Sequence, residues 1–160
     1  NGGVYNHCNA FKIMADCRLG RAEQALSTLH KMIPDSKDNP VSITGAEPYL
    51  FVNCWCMHPS FFTRIWFGSF TGTSAWALRG FYEGICGLRR EYGGLRVQPC
   101  IPGAWKELTL TRTFRGCRYH IHISNTGSGK PEVTVDGNRL ADTLLPVLND
   151  GQIHEVVVRT

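Results

Sequence analysis

The sequence predicts an α+β protein in two units, a helical unit over residues 1–92 and a β unit over residues 93–160. Two observations carry this prediction. Before Gly93-Gly94 the apolar residues recur mostly at helical spacing, and after it they alternate or form short β-branched runs. Turn-forming residues separate these runs. Short strands at such spacing are typical of a small antiparallel β-sandwich.

Three helices are predicted in the first unit, over residues 9–19, 21–33 and 74–88. Gly20 separates the first two, and Pro34 ends the second because proline cannot continue a helix. The apolar residues expected on the buried faces are Phe11, Ile13, Met14, Cys17 and Leu19 in the first helix, Ala22, Ala25, Leu26, Leu29, Met32 and Ile33 in the second, and Leu78, Phe81, Ile85 and Leu88 in the third.

Strands are predicted in the second unit over residues 95–98, 108–114, 119–123, 133–135 and 153–158. Turn signals lie between them, at Arg115-Gly116, Asp136-Gly137-Asn138 and Asn149-Asp150-Gly151. In the first unit, residues 35–47 are rich in turn-forming residues and predict a loop. Residues 48–56 are apolar and short, and fit either a helix or a buried strand.

Composition and charge exclude several classes of function. The net charge of +4 is spread along the chain, so no nucleic-acid partner is predicted. No apolar run reaches the roughly 18 residues of a membrane span.

The seven cysteines are odd in number and irregularly spaced in mostly apolar patterns, which favours reduced, buried thiols in a cytoplasmic protein. The opening Asn1-Gly2-Gly3 lacks a starting Met and a signal peptide, and is typical of a piece of a longer chain.

Three local patterns resemble ligand sites but are given ordinary interpretations. The C-x-C-x-H run at 54–58 lacks the usual zinc spacing and a second ligand pair. His120 and His122 share one face of a predicted strand, but no third ligand is evident, so solvent-facing histidines are expected. The G-S-G-K run at 127–130 lacks the correctly placed first glycine and the final Ser or Thr of a phosphate loop, and predicts a hairpin tip. No metal site is therefore predicted.

A run of small hydroxyl residues around Gly72 precedes the third predicted helix. The first N–H groups of a helix lack internal partners and carry the positive end of its dipole. Gly72 allows a ligand to approach the backbone, and Thr71 and Thr73 add hydroxyl donors. The pattern fits a bound oxyanion such as phosphate, or an ordinary helix N-cap. From these residues alone, the N-cap is favoured.

Five aromatic residues lie close together before this run: Phe61, Phe62, Trp66, Phe67 and Phe70. Core or loop packing is the favoured interpretation. The alternative is a wall on which a sugar ring stacks.

Six segments, taken in their order and spacing, resemble one protein family. They are NGGVYNH at 1–7, EPY at 47–49, TGTSAW at 71–76, GLR at 87–89, QPCIP at 98–102 and FRGCRYHI at 114–121. The set resembles the C-terminal part of the inverting β-glycoside phosphorylases of glycoside hydrolase family 94, which include cellobiose, cellobionic acid and chitobiose phosphorylases. The resemblance covers essentially the whole chain.

The resemblance implies a fold and a reaction. The first unit would supply the last helices of an (α/α)₆ catalytic barrel, and the second a small C-terminal β-sandwich. Phosphate would attack the anomeric carbon of a β-linked disaccharide with inversion, which gives an α-sugar 1-phosphate and a shortened sugar. The chain would thus be part of a glycosyltransferase-type phosphorylase.

The resemblance also implies site residues. His7, Thr71 and Gly72 match the family's phosphate contacts, which reverses the preference for a plain N-cap. Asn53 matches a position where an amide would contact sugar hydroxyls or an N-acetyl group. The family's general acid is an Asp expected upstream, so none of the thirteen carboxylates here is assigned a catalytic role and the chain alone is expected to be inactive. Glu47 is interpreted as structural.

The partners implied are a disaccharide and inorganic phosphate, both as substrates, with no cofactor and a homodimeric full-length enzyme. One alternative from another class is a non-catalytic carbohydrate-binding or structural module. It would present exposed aromatics on one sheet face, where the β unit offers Trp105, Phe114 and Tyr119. A sugar hydrolase is a further alternative, and it would need a catalytic base near the phosphate position.

Overall fold

The computed structural model of the chain describes residues 2–34, 37, 40–48, 50–61, 64–66, 68 and 71–160. Two compact units are present, Asn1–Phe81 and Tyr82–Thr160. The domain boundary expected after residue 92 stays a prediction. Within the described residues, no helix is both long enough and apolar enough to cross a membrane.

The first unit combines a small sheet with helices. Its elements are β1 (Gly3–Tyr5), α1 (Asn6–Arg18), α2 (Ala22–Met32), α3 (Val41–Thr44), β2 (Cys54–Cys56), a 3₁₀ turn (Pro59–Phe61), β3 (Ile65–Trp66) and α4 (Thr73–Arg79). The strands pair in the antiparallel order β1-β2-β3. The two helices predicted around Gly20 are confirmed, and residues 54–56 of the ambiguous segment form a strand.

The buried face of α1 differs from the expected one. Phe11 and Leu19 are 47% and 64% exposed, so their expected place on the buried face is wrong. The residues that are buried are Asn6, Ala10, Ile13 and Asp16, which recur every three or four positions. Small Ala10 allows close packing against α2 and α4, and the carboxylate of buried Asp16 is held 2.6 Å from Nζ of Lys12. Two polar residues therefore occupy a face that hydrophobicity alone assigns to apolar ones.

The third predicted helix is interrupted. Helix α4 ends at Arg79 and continues as a π-helical segment, Gly80–Ile85, after which Leu88 already lies in a strand. A π turn takes more residues than an α turn, so the expected apolar stripe loses its register after Arg79. Leu78 lies within α4 itself and is 58% exposed, so its expected place on the buried face is wrong. Gly87 ends the segment with a φ of +72°, and a Cβ there would collide with the carbonyl oxygen of Gln98.

The second unit is built from strands. They are β4 (Leu88–Glu91), β5 (Gly94–Val97), β6 (Glu107–Phe114), β7 (Cys117–Ser124), β8 (Glu132–Val135), β9 (Asn138–Arg139), β10 (Leu144–Leu145) and β11 (Ile153–Arg159). They form a three-stranded sheet in the order β10-β5-β4 and a five-stranded sheet in the order β6-β7-β11-β8-β9. The second unit consists of sheets, as expected, and each predicted strand matches an observed one. The three-stranded sheet of the first unit was not predicted, so that unit is not purely helical.

Strand direction departs from the prediction in one place. Strand β11 runs parallel to β7, with Glu155 opposite His120, while it pairs antiparallel with β8 on its other side. The five-stranded sheet is therefore mixed. Val156 and Val158 of β11 are buried, and Val157 between them is partly exposed. This alternation identifies the buried face of the strand, but it does not indicate whether the neighbouring strands run parallel or antiparallel.

Two predicted turns have the geometry of tight hairpins. Arg115 and Gly116 both have positive φ values, of 43° and 82°, in the two-residue loop between β6 and β7. Asp136 and Gly137, at 48° and 80°, form the same type I′ turn between β8 and β9. These turns set the register of both hairpins.

Fewer of the cysteines are buried than expected. All seven are free, and Cys56, Cys86 and Cys117 are buried. Cys8 is exposed, and the remaining three are partly buried. Burial raises the pKa of the Cys86 thiol to about 12, so that side chain stays neutral.

Candidate functional site

The start of α1 is fixed to the segment before β2 by one buried amide. Asn6 is fully buried, and its Nδ2 donates to the carbonyl of Val52 at 2.9 Å. Its backbone N–H donates to the carbonyl of Asn53 at 2.8 Å, and Asn9 Nδ2 donates to its Oδ1 at 2.9 Å. Because Tyr5 pairs with Cys54 in the sheet and Asn6 is bound on both its backbone and its side chain, the start of α1, with His7 as its second residue, has a defined position.

The imidazole of His7 has a neighbour on each side. Its Nδ1 is hydrogen-bonded to the Tyr5 hydroxyl, and the two rings meet edge to face with centroids 4.8 Å apart. A Cβ placed on Gly72 would lie 2.6 Å from Nε2 of the same ring. The fold thus brings His7 and Gly72, which are far apart in sequence, into direct proximity, and Gly72 is exposed to solvent.

The hydroxyls around Gly72 are linked to each other. Thr71 Oγ1 lies 2.6 Å from Thr73 Oγ1 and accepts the backbone N–H of Thr73 at 3.0 Å. Thr73 is fully buried, whereas Thr71 is partly exposed. The N-cap position of α4 is Gly72, which has no side chain to cap the helix, so the expected hydroxyl N-cap is not formed. The Thr71 oxygen instead binds the N–H of the first helical residue, and its side chain stays accessible.

Asn53 lies immediately before β2 and is partly buried. Cys54 Sγ is 3.9 Å from its side-chain oxygen. Burial raises the pKa of the Cys54 thiol, so the neighbour of the Asn53 amide is uncharged. The backbone of Asn53 is bound by Asn6, which connects the predicted sugar contact to the helix that carries His7.

The aromatic run is only partly covered by the structure. Phe62, Phe67 and Phe70 lie outside the described residues. Phe61 and Trp66 are 52% and 41% exposed, which fits a surface better than a core. The interpretation of this run as a wall for a sugar ring stays a hypothesis that rests on the two described aromatics.

Glu47, which is interpreted from the sequence as structural, is exposed.

The aromatics that would support a carbohydrate-binding module are not exposed as a set. Tyr119 is fully buried, Phe114 is 8% exposed and Trp105 is partly buried. The Tyr119 hydroxyl donates to the carbonyl of Pro146, inside the second unit. Within the described residues, the β unit therefore offers none of these three rings on an open sheet face.

A second cluster lies on the five-stranded sheet. The histidines His120 and His122 are partly exposed, as expected, and Glu155 of β11, a potential third ligand that was not evident in the sequence, lies beside them. Glu155 belongs to a predicted strand, but its pairing partner cannot be derived from alternation. The parallel pairing of β11 with β7 is what places it there.

An open cavity of about 700 Å³ lies in the second unit, beside the turn after β4 and the end of β6. Three arginines, Arg90, Arg112 and Arg115, line it. Arg115 donates to the carbonyl of Tyr92 at 2.6 Å and lies over the Phe114 ring. None of the four predicted site residues lines this cavity.

Two residues of the candidate site were not predicted to act there. Tyr5 orients the His7 ring, and Asn6 anchors the helix start. Both lie in the same NGGVYNH segment as His7. Asn6 also had a signal of its own, because it falls on the same helical face as Ala10 and Ile13.

Comparisons with known proteins cover the whole chain. Residues 1–87 match the glycosyl hydrolase 94 superfamily catalytic domain, and residues 88–140 match the glycosyl hydrolase family 65 C-terminal domain. Relatives include a solabiose phosphorylase of Paenibacillus borealis, 36% identical over 99% of this chain and 21% of the relative, and a 3-O-β-D-glucopyranosyl-β-D-glucuronide phosphorylase of the same organism, 35% identical over 99% and 21%. An N,N′-diacetylchitobiose phosphorylase of Vibrio furnissii is 31% identical over 86% of this chain and 18% of its own. The chain spans about a fifth of the length of these relatives.

Proposed function

Because the chain belongs to the glycosyl hydrolase 94 superfamily, we propose that it is part of a phosphorylase that cleaves a β-linked disaccharide with inorganic phosphate. The products would be an α-sugar 1-phosphate and a shortened sugar. The observation that carries the proposal is the proximity of His7 Nε2 to Gly72. The three relatives named above are disaccharide or glycoside phosphorylases, which supports the same class of reaction.

The site is chemically suited to an oxyanion. A phosphate dianion needs several N–H or O–H donors and some positive charge. If the Tyr5 hydroxyl donates to Nδ1, the His7 ring carries its proton on Nε2, the nitrogen that faces Gly72. The absence of a side chain on Gly72 lets Nε2 approach this backbone closely, so an anion bound at the exposed Gly72 would be within reach of the ring N–H.

Thr71 would supply a second donor. Its oxygen accepts the Thr73 N–H, and in our proposal it also accepts the Thr73 hydroxyl proton. With both of those bonds made to its oxygen, the Thr71 O–H is left to donate outward. His7 and Thr71, on either side of Gly72, would then each donate a hydrogen bond to the phosphate.

The reaction requires one fewer protein carboxylate than hydrolysis. An inverting hydrolase uses an acid and a base that activates water. Phosphate is already a nucleophile: one of its oxygens forms the bond to the anomeric carbon on the face opposite the leaving group. The glycosidic C–O bond breaks, and the departing oxygen takes a proton from the acid. We assign that acid to an Asp outside this chain, as the family resemblance implies.

We assign a sugar contact to Asn53, whose amide both donates and accepts hydrogen bonds. Its backbone link to Asn6 would keep it in register with His7. Three further features are proposed from the resemblance. The helices of the first unit would belong to an (α/α)₆ barrel, the full-length enzyme would be a homodimer, and it would use no cofactor, since phosphate is a substrate. The seven free cysteines support a reducing compartment, the cytoplasm.

The experiment is a substrate screen of the full-length protein. Cellobiose, cellobionic acid, N,N′-diacetylchitobiose and solabiose are each incubated with and without phosphate, and sugar 1-phosphate is detected by phosphorus NMR. We expect an α-sugar 1-phosphate from at least one of them, formed only when phosphate is present. Cleavage at the same rate without phosphate would identify a hydrolase and overturn the proposal.

A further inference from the structure

Three potential metal ligands meet on the exposed face of the five-stranded sheet. His120 and His122 are two residues apart on β7, so their side chains leave the same face. The parallel register places Glu155 of β11 directly opposite His120 and next to His122. The three side chains are 42%, 46% and 56% exposed, in that order.

The donor atoms are already close together. Glu155 Oε1 lies 3.2 Å from His120 Nδ1, and Oε2 lies 3.5 Å from His122 Nε2. One ligand atom from each residue can be chosen so that all lie within 4.8 Å of one another. Zinc sits about 2.0–2.2 Å from imidazole nitrogen and carboxylate oxygen, which brings tetrahedral ligands to roughly 3.3–3.5 Å apart. Small rotations about the side-chain bonds would suffice.

His122 has the supporting contact that metal-binding histidines usually have. Its Nδ1 lies 3.2 Å from Oγ1 of Thr109, the residue opposite it on β6. A histidine that binds a metal through Nε2 carries its proton on Nδ1, and a hydrogen bond from that N–H fixes the ring. Thr109 can accept this bond.

We propose that His120, His122 and Glu155 bind a divalent transition-metal ion of the zinc type. Two imidazoles and one carboxylate are ligands that suit zinc, nickel or copper better than magnesium or calcium. Strand pairing holds all three backbones, so little entropy is lost in assembling the ligands. Their exposure leaves the remaining coordination positions to water. Within the described part of the chain, it is the one group of three such side chains with donors this close.

An ion pair between the histidines and Glu155 would explain the distances without a metal. Exposed ion pairs of this kind contribute little to stability, about 0–1 kcal/mol, and one histidine is enough to form such a pair with Glu155. The rings of His120 and His122 instead converge, with centroids 4.9 Å apart. Two histidines and a carboxylate directed at one point are the arrangement that a metal ion needs. This site is independent of phosphorolysis.

The test is calorimetric titration of zinc into the full-length protein after treatment with a chelator. We expect a zinc site whose affinity falls at least tenfold in His122→Ala and in Glu155→Gln, and also falls in Thr109→Val, where only the supporting contact is removed. His30→Ala, which changes an exposed histidine on α2, is the matched control and should leave the affinity unchanged. Circular dichroism checks that each variant folds.

Cobalt provides an independent readout, because visible absorption bands report the geometry of the bound ion. Absence of zinc binding would overturn the proposal. So would binding that survives in the His120→Ala/His122→Ala double variant, which would assign the ion elsewhere. Loss of that surviving binding in Cys8→Ser would place it on the exposed thiol.

Discussion

At position 7, one ring nitrogen is bound by Tyr5 and the other points at a glycine. This arrangement makes the histidine a directed donor rather than a freely rotating surface side chain. Its orientation depends on Tyr5, and its access to a ligand depends on Gly72 having no side chain. The role proposed for His7 therefore depends on two neighbours, Tyr5 and Gly72.

Gly72→Ala tests this dependence. The added Cβ would lie 2.6 Å from Nε2, so the imidazole has to move away. We expect the KM for phosphate to rise at least tenfold, because a charge-assisted hydrogen bond worth roughly 1.5–3 kcal/mol is lost. Steady-state rates of sugar 1-phosphate formation at varied phosphate give the KM.

The control is Gly93→Ala, whose Cβ would make an ordinary contact with Leu144, 3.4 Å away. A double variant separates mechanisms. If alanine at 72 acts by displacing His7, it should add little to His7→Ala, since the two changes remove the same interaction. Additive effects in the double variant would show that Gly72 acts independently of His7.

Individual residues were predicted to different degrees. The site assignments of His7 and Thr71 came from the resemblance, because a lone histidine near a chain end has no distinctive pattern of its own. Asn6 was missed since a polar residue at a helix start suggests solvent, whereas here it is buried to bind Val52 and Asn53. Its hydrogen bonds are long-range, and local sequence does not encode them.

At the scale of elements, β11 connects several features of the second unit. Its His154 is buried on the face opposite Glu155, with Nδ1 2.7 Å from Asp136 Oδ2 and Nε2 3.1 Å from Asp150 Oδ1. Asp136 lies in the β8–β9 turn, and Asp150 in the loop before β11. Hydrogen bonds to these two carboxylates raise the pKa of His154 above its ordinary 6.5.

This network predicts how stability depends on pH. The raised His154 pKa contributes stability that is complete below pH 6.5 and is lost as pH rises through the folded-state pKa. The hydrogen bond from His154 and the Glu155 N–H lower the pKa of Asp136 below 3.8, so its contribution is present above pH 3.8 and is lost on further acidification. Stability should therefore be greatest between these two limits.

Urea denaturation midpoints measured across this range test the prediction. His154→Gln should remove the alkaline decline, and His30→Gln, at an exposed site, should retain it. The acid side is less diagnostic because Arg96 lowers the pKa of Glu91, and the Thr143 N–H together with Arg96 lowers the pKa of Asp142. An alkaline decline that persists unchanged in His154→Gln would contradict the account.

The elements themselves were largely predictable. Alternation and turn residues indicated the strands, and a glycine at the second loop position, Gly116 and Gly137, marked both tight hairpins. The π-helical segment was not predictable, because Leu78, Phe81 and Ile85 fit an uninterrupted α-helix equally well. Nor was the parallel pairing of β11, since side-chain alternation is the same in either direction.

For the whole molecule, the two family matches divide the chain near the same place as its compact units. The catalytic-domain match ends at residue 87, and the second unit begins at Tyr82. The residues proposed for phosphate all lie in the first unit, and the proposed metal ligands all lie in the second. The two proposed sites thus lie in different units, and each can be tested without altering the other.

The central claim is that His7 and the Thr71–Gly72 pair hold one phosphate. Its most direct test is the phosphate saturation curve of the full-length protein at saturating disaccharide, with His7→Ala compared with wild type and with His30→Ala. Loss of a charge-assisted donor worth roughly 1.5–3 kcal/mol predicts that the KM for phosphate rises about 10- to 150-fold in His7→Ala alone. A phosphate KM in His7→Ala equal to that of the wild type would contradict the account.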